Sequence, residues 1–416
     1  MKRRVAVTGL GAITPIGNTV DEMWAGVKAG RCGIDLIKAF DTADFKVKIA
    51  AEVKADIEER MDKRAAKRMD RFSQFAIIAA KEAYKNAGLE DAEFDRSRFG
   101  VIISSGIGGL ATIEREHTRA AEKGFDRISP FFVPMNIVNL AAGNVAIEVG
   151  AHGMCSCVVT ACAGGTNAIG DAFRHIRDGY AEIMLAGGAE AAITPLGIGG
   201  FTSMKALCEN NDPSRSSIPF DSERSGFVMG EGAGMLMLEE YGHAKARGAN
   251  IIGEVVGYGA SCDAHHITAP CPDGTGAAAA MRQAMDDAGI TPDKIGYINA
   301  HGTSTPLNDS IETAAVKLAF GETAKALAMS STKSMTGHML GASGAVEAVI
   351  TVMAVAEGYL PPTINYKIPD PECDLDIVPN NGRACDIGYA MSNSLGFGGH
   401  NASILFRSVK EGQAWS

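Results

Sequence analysis

Several things are missing from this sequence, and each absence narrows what the chain can do. Basic charge is not in excess: the formal net charge is −10 at pH 7, which argues against general affinity for nucleic acid or an anionic membrane. Cysteines number nine, odd and irregularly spaced, so no disulfide framework is expected and a reduced, cytoplasmic compartment fits better. Zinc-type spacing is absent too. Cys155, Cys157 and Cys162 cluster, but Cys155 and Cys157 alternate on an expected strand and no histidine completes the set. The most apolar late run, 348–356, is bounded by Glu347 and Glu357 and reads as too short to cross a bilayer. The start, Met1–Arg4 and then Val5–Val7, is broken by Gly9, Gly11, Pro15 and Gly17. It reads as a first strand and not as a signal peptide.

What is present suits a globular α/β protein. The 416 residues are 46% hydrophobic and 21% charged, enough for two or three domains or one large duplicated one. Thr19-Val-Asp-Glu22 is a capping box opening a short helix. Residues 63–87 are expected to form one long helix stopped by Gly88. Val101–Ser105 and Ile183–Ala186 read as buried strands, and 131–146 as a buried or intersubunit segment. Four echoes then repeat in order. Ile252–Gly259 answers Val5–Gly11, Ile295–Ala300 answers Phe99–Ser104, Ala342–Ala345 answers Ala163–Thr166, and Gly396–Phe406 answers Gly226–Met237. Strands alternating with helices imply buried sheets clothed by helices. A duplicated unit is expected, with halves at 1–250 and 251–416 and a site at their junction.

The chemistry-bearing residues lie at strand-to-helix junctions, where α/β folds place their sites. Thr160-Ala-Cys162-Ala-Gly-Gly165 ends an apolar run and opens a helix. A thiol there meets free N–H groups and the helix dipole, which favour the nucleophilic thiolate. Asn299-Ala-His301-Gly-Thr303-Ser-Thr305 follows a strand, and Ser331-Thr-Lys333-Ser-Met-Thr-Gly-His338 precedes a helix. A thiol with two histidines able to donate to a developing oxyanion suits covalent acyl transfer with a stabilised enolate. A buried structural cysteine and ordinary core histidines are the bland reading of each residue taken alone.

Together with Asn393-Ser-Leu-Gly-Phe397-Gly-Gly, these motifs resemble the thiolase-fold condensing enzymes over almost the whole chain. The likeness is nearest to the synthase II class of elongating β-ketoacyl-[acyl carrier protein] synthases. The resemblance implies an α/β thiolase-like fold of duplicated βαβαβαββ halves in a five-layer α-β-α-β-α core. It implies fatty-acid elongation by decarboxylative Claisen condensation: Cys162 takes an acyl chain from acyl carrier protein, and His301 and His338 hold the malonyl thioester oxygen. Backbone N–H groups of Cys162 and Phe397 would form a second oxyanion hole, with Lys333 as a supporting charge paired with Glu347 and near Asp309 and Glu312. Thr303 and Thr305 would hold the phosphopantetheine arm, Phe397 would gate the acyl pocket, and Ile107 would sit partway down it. No cofactor or catalytic metal is implied beyond a monovalent cation near Asn299, Glu347 and Asn393, and the expected assembly is a homodimer. His338 separates the chain from relatives that use a second cysteine or Cys-His-Asn.

The carrier is acidic and so is this chain, so a local basic patch has to overcome overall repulsion. Lys63, Arg64, Lys67, Arg68 and Arg71 are spaced along one expected helical face. By resemblance Arg64, Lys67, Arg68, Arg127 and Lys205 dock the carrier, although Asp126 stands where the pattern often has a base. Three alternatives are weighed. A dinucleotide dehydrogenase is disfavoured because Gly9-Leu-Gly11 lacks its third glycine. A chain-length-factor-like partner is disfavoured by Cys162. A polyketide ketosynthase uses the same triad.

Overall fold

The computed structural model describes residues 2–409. Ten strands make the central sheet: β1 (Val5–Ile13), β2 (Phe99–Ser104), β3 (Cys155–Ser156), β4 (Ile183–Glu190), β5 (Gly232–Glu240), β6 (Gly253–Cys262), β7 (Ile295–Asn299), β8 (Ala328–Ser330), β9 (Tyr389–Gly396) and β10 (His400–Arg407). Their spatial order is β8-β7-β9-β10-β6-β1-β5-β4-β2-β3. Going outward from β1, the pairings are antiparallel to β5, antiparallel to β4, then parallel to β2 and parallel to β3. Going outward from β6, the pairings with β10, β9, β7 and β8 repeat that series. The same five-stranded pattern is laid down twice, and the strand echoes of the sequence fall on matching strands. Among the described residues the strands of the two patterns pair with each other at Val5↔Val255, Ala6↔Glu254 and Val7↔Gly253.

Helices complete the layers: α1 (Arg71–Asn86), α2 (Leu140–Val149), α3 (Gly164–Arg177), α4 (Thr275–Ala288), α5 (Pro306–Phe320) and α6 (Ser343–Glu357). Side-chain alternation along the strands decides which face meets which helix. On β4, Ile183, Leu185 and Ala189 join an outer core with Phe75 and Ala79 of α1 and Val145 of α2. Met184 and Ala186 point the other way, into a central core with Ile169 and Phe173 of α3 and Val346 and Val349 of α6. From the second pattern, Ala402, Ile404 and Phe406 of β10 enter that central core. Met391 and Leu405 face a third core with Met281 of α4 and Val316 of α5. Two outer cores and a central one that encloses the middle helices give the α-β-α-β-α order that the resemblance implies.

Helices α3 and α6 form the shared middle layer. A helix enclosed on all sides should be apolar all round, and Val346, Val349, Ile350, Val352 and Val355 of α6 are at most 1% exposed. Each contributes roughly 1.5–3 kcal/mol by leaving water. The stretch Leu340–Glu357 is, by length and composition, long enough to cross a membrane, contrary to the expectation above, yet it is 83% buried inside the protein. Glycines let the two middle helices cross at their starts: a Cβ on Gly165 would stand 2.6 Å from the Ala345 amide nitrogen.

Two local expectations need correction or refinement. The helix expected over 63–87 is broken into Lys63–Ala66 and Arg71–Asn86. Asp62 caps the first piece and Asp70 the second, accepting from the Phe72 amide. Asp70 is also held by the Thr112 hydroxyl and amide, a partner far along the chain that overrides the local periodicity. The 131–146 segment is split between a short helix and α2, and it leaves Val133 and Ile137 uncovered, as it does Ile147 just beyond.

Candidate active site

Cys162 lies in a single 3₁₀ turn, Ala161–Ala163, that runs into α3. Ala161 takes φ +49°, a left-handed conformation rare outside glycine and characteristic of strained functional turns. The turn is tied down by the Asn167 amide, which donates to the Thr160 hydroxyl at 2.6 Å, while the Tyr258 hydroxyl donates to Asn167 at 2.7 Å. The Phe397 amide and the residue's own amide are directed at the Cys162 sulfur. Gly396 makes this approach possible, because a Cβ there would lie 2.7 Å from the Thr160 carbonyl oxygen and 3.2 Å from the Cys162 nitrogen. The expected acidic thiol is not found. Burial pushes Cys162 up to about 12, outweighing the Lys333 charge and those amides, so the resting residue is a protonated thiol.

His301 and His338 are both brought to the same place, with ring centroids 5.3 Å apart and planes nearly perpendicular. Their tautomers follow from their neighbours. Ser343 accepts the Met339 amide at 2.8 Å, and its Oγ lies 2.9 Å from His338 Nδ1, to which we assign its hydroxyl hydrogen. Lys333 carries only donors, and its Nζ lies 3.4 Å from His301 Nδ1. Both Nδ1 atoms therefore accept, and both Nε2 atoms carry hydrogens. Desolvation, with the Lys333 charge added, holds both imidazoles well below their usual range. They are neutral donors at neutral pH.

Lys333 is 1% exposed and pairs with Glu347, also 1% exposed; it donates as well to the His301 carbonyl at 2.6 Å. Burial raises the Glu347 carboxyl, and Lys333 offsets only part of that. Glu312, on α5, accepts the His301 and Gly302 amides at 2.8 and 2.7 Å. It fixes the backbone that carries the first histidine.

Cys162, both histidines, Thr303, Thr305, Phe397 and Lys205 line one cavity of about 350 Å³. The Thr303 and Thr305 hydroxyls are 2.9 Å apart. Phe397 is half-buried and is followed by two glycines at positive φ, Gly398 (+88°) and Gly399 (+77°). Its ring meets Phe201, which meets Phe227, which meets His338. Ile107 packs in the same apolar cluster as Cys162 and Leu340. A larger depression of about 870 Å³, lined by Lys54, Arg71, Glu114 and Glu231 among others, contains no member of the triad.

Of the residues expected near a cation, Asn299 and Glu347 each keep a buried oxygen, Oδ1 and Oε2, without a protein hydrogen-bond partner. Ser392 Oγ is buried in the same way, and the three make a donor set suited to a hard ion. Asn393 adjoins them, but its oxygen already accepts from Ser403 at 2.8 Å.

Arg64, Lys67, Arg68 and Arg127 are exposed, and the Arg68 guanidinium over the Phe131 ring joins the 64–68 turn to the segment after Arg127. Lys205 is exposed at the cavity mouth. Arg71 does not belong with them, since it turns inward onto Glu231. The common helical face is therefore absent: Arg64, Lys67 and Arg68 share one short turn and Arg127 lies on another, Phe125–Arg127.

Residues 2–244 match the sequence profile of the β-ketoacyl synthase N-terminal domain, and residues 252–367 that of the C-terminal domain. The chain belongs to the β-ketoacyl synthases. This synthase is 55% identical over 411 residues to 3-oxoacyl-[acyl-carrier-protein] synthase 2 of Synechocystis sp., covering 98% of this chain and 99% of the relative. It is 53% identical over 409 residues, with the same coverage, to the protein of that name from Staphylococcus aureus strain COL. Among solved structures it is similar to a β-ketoacyl synthase from Burkholderia phymatum (36% identity, TM-score 0.91, 99% and 100% of the two chains). A ketosynthase of type II polyketide synthesis, solved with its acyl carrier protein and a hexaketide, gives 38% identity and TM-score 0.91 at the same coverage.

Ser343 and Glu190 were not singled out by sequence reasoning, and Glu312 was noted only as a neighbour of Lys333. Each acts through backbone or tautomer from a remote element. The sequence signal available was a lone polar residue in an apolar stretch, which by itself names no partner.

Proposed function

We propose that this β-ketoacyl synthase elongates fatty-acyl chains by two carbons, using malonyl-[acyl carrier protein] and a chain held on Cys162. The observation that carries the reading is two neutral imidazoles, each with Nε2–H fixed by its neighbours, in one cavity with a helix-start thiol. In the first stage the Cys162 sulfur attacks the carrier thioester, the developing oxyanion meets the Cys162 and Phe397 amides, and the carrier thiol departs with the proton. In the second, carbon dioxide leaves the malonyl group while both Nε2–H groups hold the thioester oxygen. The resulting carbon attacks acyl-Cys162, and the released sulfur takes a proton from water, as its high proton affinity favours. Lys333 supports the charge, Thr303 and Thr305 hold the phosphopantetheine arm, Phe397 gates the acyl channel and Ile107 walls it. If a monovalent cation is bound, Asn299, Glu347 and Ser392 hold it and it steadies the fold beneath Lys333.

The carrier docks through Arg64, Lys67, Arg68, Arg127 and Lys205. The enzyme works as a cytoplasmic homodimer. The unpaired edge of β3, with exposed Val133, Ile147, Met154 and Val159, supports the dimer, and nine free cysteines support the compartment. Intact-protein mass spectrometry tests the reaction. An acyl mass mapped to Cys162, discharged by malonyl-carrier and absent from Cys162→Ser, is expected; no acylation at any chain length refutes the reading. A polyketide role, favoured by the hexaketide-bound neighbour, would replace it if unusual starters are strongly preferred over saturated straight chains.

A further inference from the structure

Glu190 ends β4 and is completely buried, and no salt bridge to it is found among the described residues. Its Oε1 accepts the Ser105 hydroxyl at 2.9 Å and the Ile107 amide at 3.2 Å. Oε2 accepts the Gly106 amide at 2.7 Å and the Gly341 amide at 3.0 Å. Ser105 itself accepts the Gly108 amide, so its hydrogen goes to Glu190. Four donors fill both oxygens and favour the carboxylate, against the burial that raises its proton affinity. Three of them belong to the loop carrying Ile107; the fourth belongs to the turn that joins His338 to α6. The backbones meet closely there, for a Cβ on Gly341 would be 2.3 Å from the Gly106 nitrogen and one on Gly188 would be 2.4 Å from the Gly341 oxygen. Ile107, Leu340 and Cys162 share one apolar cluster immediately beside it.

We infer that Glu190 is a positioning residue that clamps the acyl-channel wall at Ile107 to the turn after His338, so the acyl length accepted on Cys162 depends on this strap between the halves. The inference rests on the reading of Ile107 as channel wall given above. A second consequence follows from the same placement. The Glu190 charge, in a site without a counter-ion of its own, adds to the factors that keep the Cys162 thiol protonated.

Glu190→Gln is nearly isosteric but turns an NH₂ group toward N–H donors, so the strap is lost while the volume is kept. Its self-acylation with saturated acyl carriers of graded length should lose about tenfold in kcat/KM for the lengths the wild type prefers, with the preference moved to other lengths. Iodoacetamide alkylation of Cys162, followed against pH, should rise at lower pH than in the wild type and by more than in Ser105→Ala, which loosens the strap but keeps the carboxylate. Ser105→Ala removes one donor, should shift the length profile in the same direction by less, and serves if Glu190→Gln does not fold. A folded Glu190→Gln, or Ser105→Ala in its place, with unchanged length profile and unchanged alkylation profile overturns the inference. A wild type that acylates at no length refutes the functional reading instead, so the two failures are distinguishable.

Discussion

Two helix starts cross at the centre of the molecule. One runs through Ala161–Ala163 into α3, the other through Leu340–Ala342 into α6, and each is a single 3₁₀ turn entered from a non-glycine residue at positive φ, +49° and +46°. Matching Ala163–Thr166 with Ala342–Ala345 sets Cys162 opposite Gly341. The backbone device is therefore duplicated and only one copy carries a nucleophile. At the other copy the Gly106 nitrogen occupies the space a side chain would need, and the free amide goes to Glu190. The loops that follow β2 and β7 make the same contrast. Each has two successive amides held by one buried carboxylate, Gly106 and Ile107 by Glu190, His301 and Gly302 by Glu312. The first loop presents the apolar Ile107 and the second the His301 imidazole. Equal scaffolding with unequal side chains lets one repeated unit offer an apolar side chain on one side and a neutral imidazole on the other.

The contrast can be broken most severely at the nucleophile. Cys162→Ala should reduce condensation to background, whereas Cys162→Gln should keep or enhance malonyl decarboxylation, measured as carbon dioxide release. If both folded variants lose decarboxylation, the division between the two halves fails. Removing either imidazole comes next. His301→Ala and His338→Ala should each cost on the order of 10²–10³ in decarboxylation, while self-acylation by mass spectrometry survives better; equal loss of both steps would contradict the assignment. Lys333→Ala leaves Glu347 as a lone buried charge and should cost about 3–5 kcal/mol in denaturant unfolding. Gly341→Ala asks whether the second turn is closed to side chains; about 1–3 kcal/mol of destabilisation is expected from the forced contact, and a neutral outcome would deny it. The smallest effect is an absence of change. Burial and the Lys333 charge hold both histidines well below 6.5, so neither changes charge near that pH and decarboxylation by Cys162→Gln should stay level as pH falls through 6.5. An inflection near 6.5 would show ordinary histidines.

Much of this was legible beforehand because it is written locally. Buried apolar strand runs, a glycine after a helix and the echo at 342–345 are short-range signals, and the junctions carrying Cys162, His301 and His338 follow from them. The unbroken helix over 63–87 failed because Asp70 is fixed by Thr112, a contact with no local trace. The acidic thiol failed for a similar reason. A helix start is visible in sequence, but the desolvation that overwhelms it at Cys162 is set by Phe227, Leu340 and the rest of a cluster assembled from distant segments. Glu190 and Ser343 stayed hidden because a carboxylate or hydroxyl declares its role only when its donors are in view.

The middle layer has a consequence for synthesis. Helix α3 and the inner faces of β1, β4 and β5 are complete once residue 240 has been made, yet half of what covers them is α6 and β10, which lie more than a hundred residues later. A nascent chain leaving the ribosome therefore carries an oily, unroofed surface for the time taken to translate that interval, about 5–20 s at ordinary elongation rates. The inner face of the first half is thus roofed only when Ser343–Glu357 has been made.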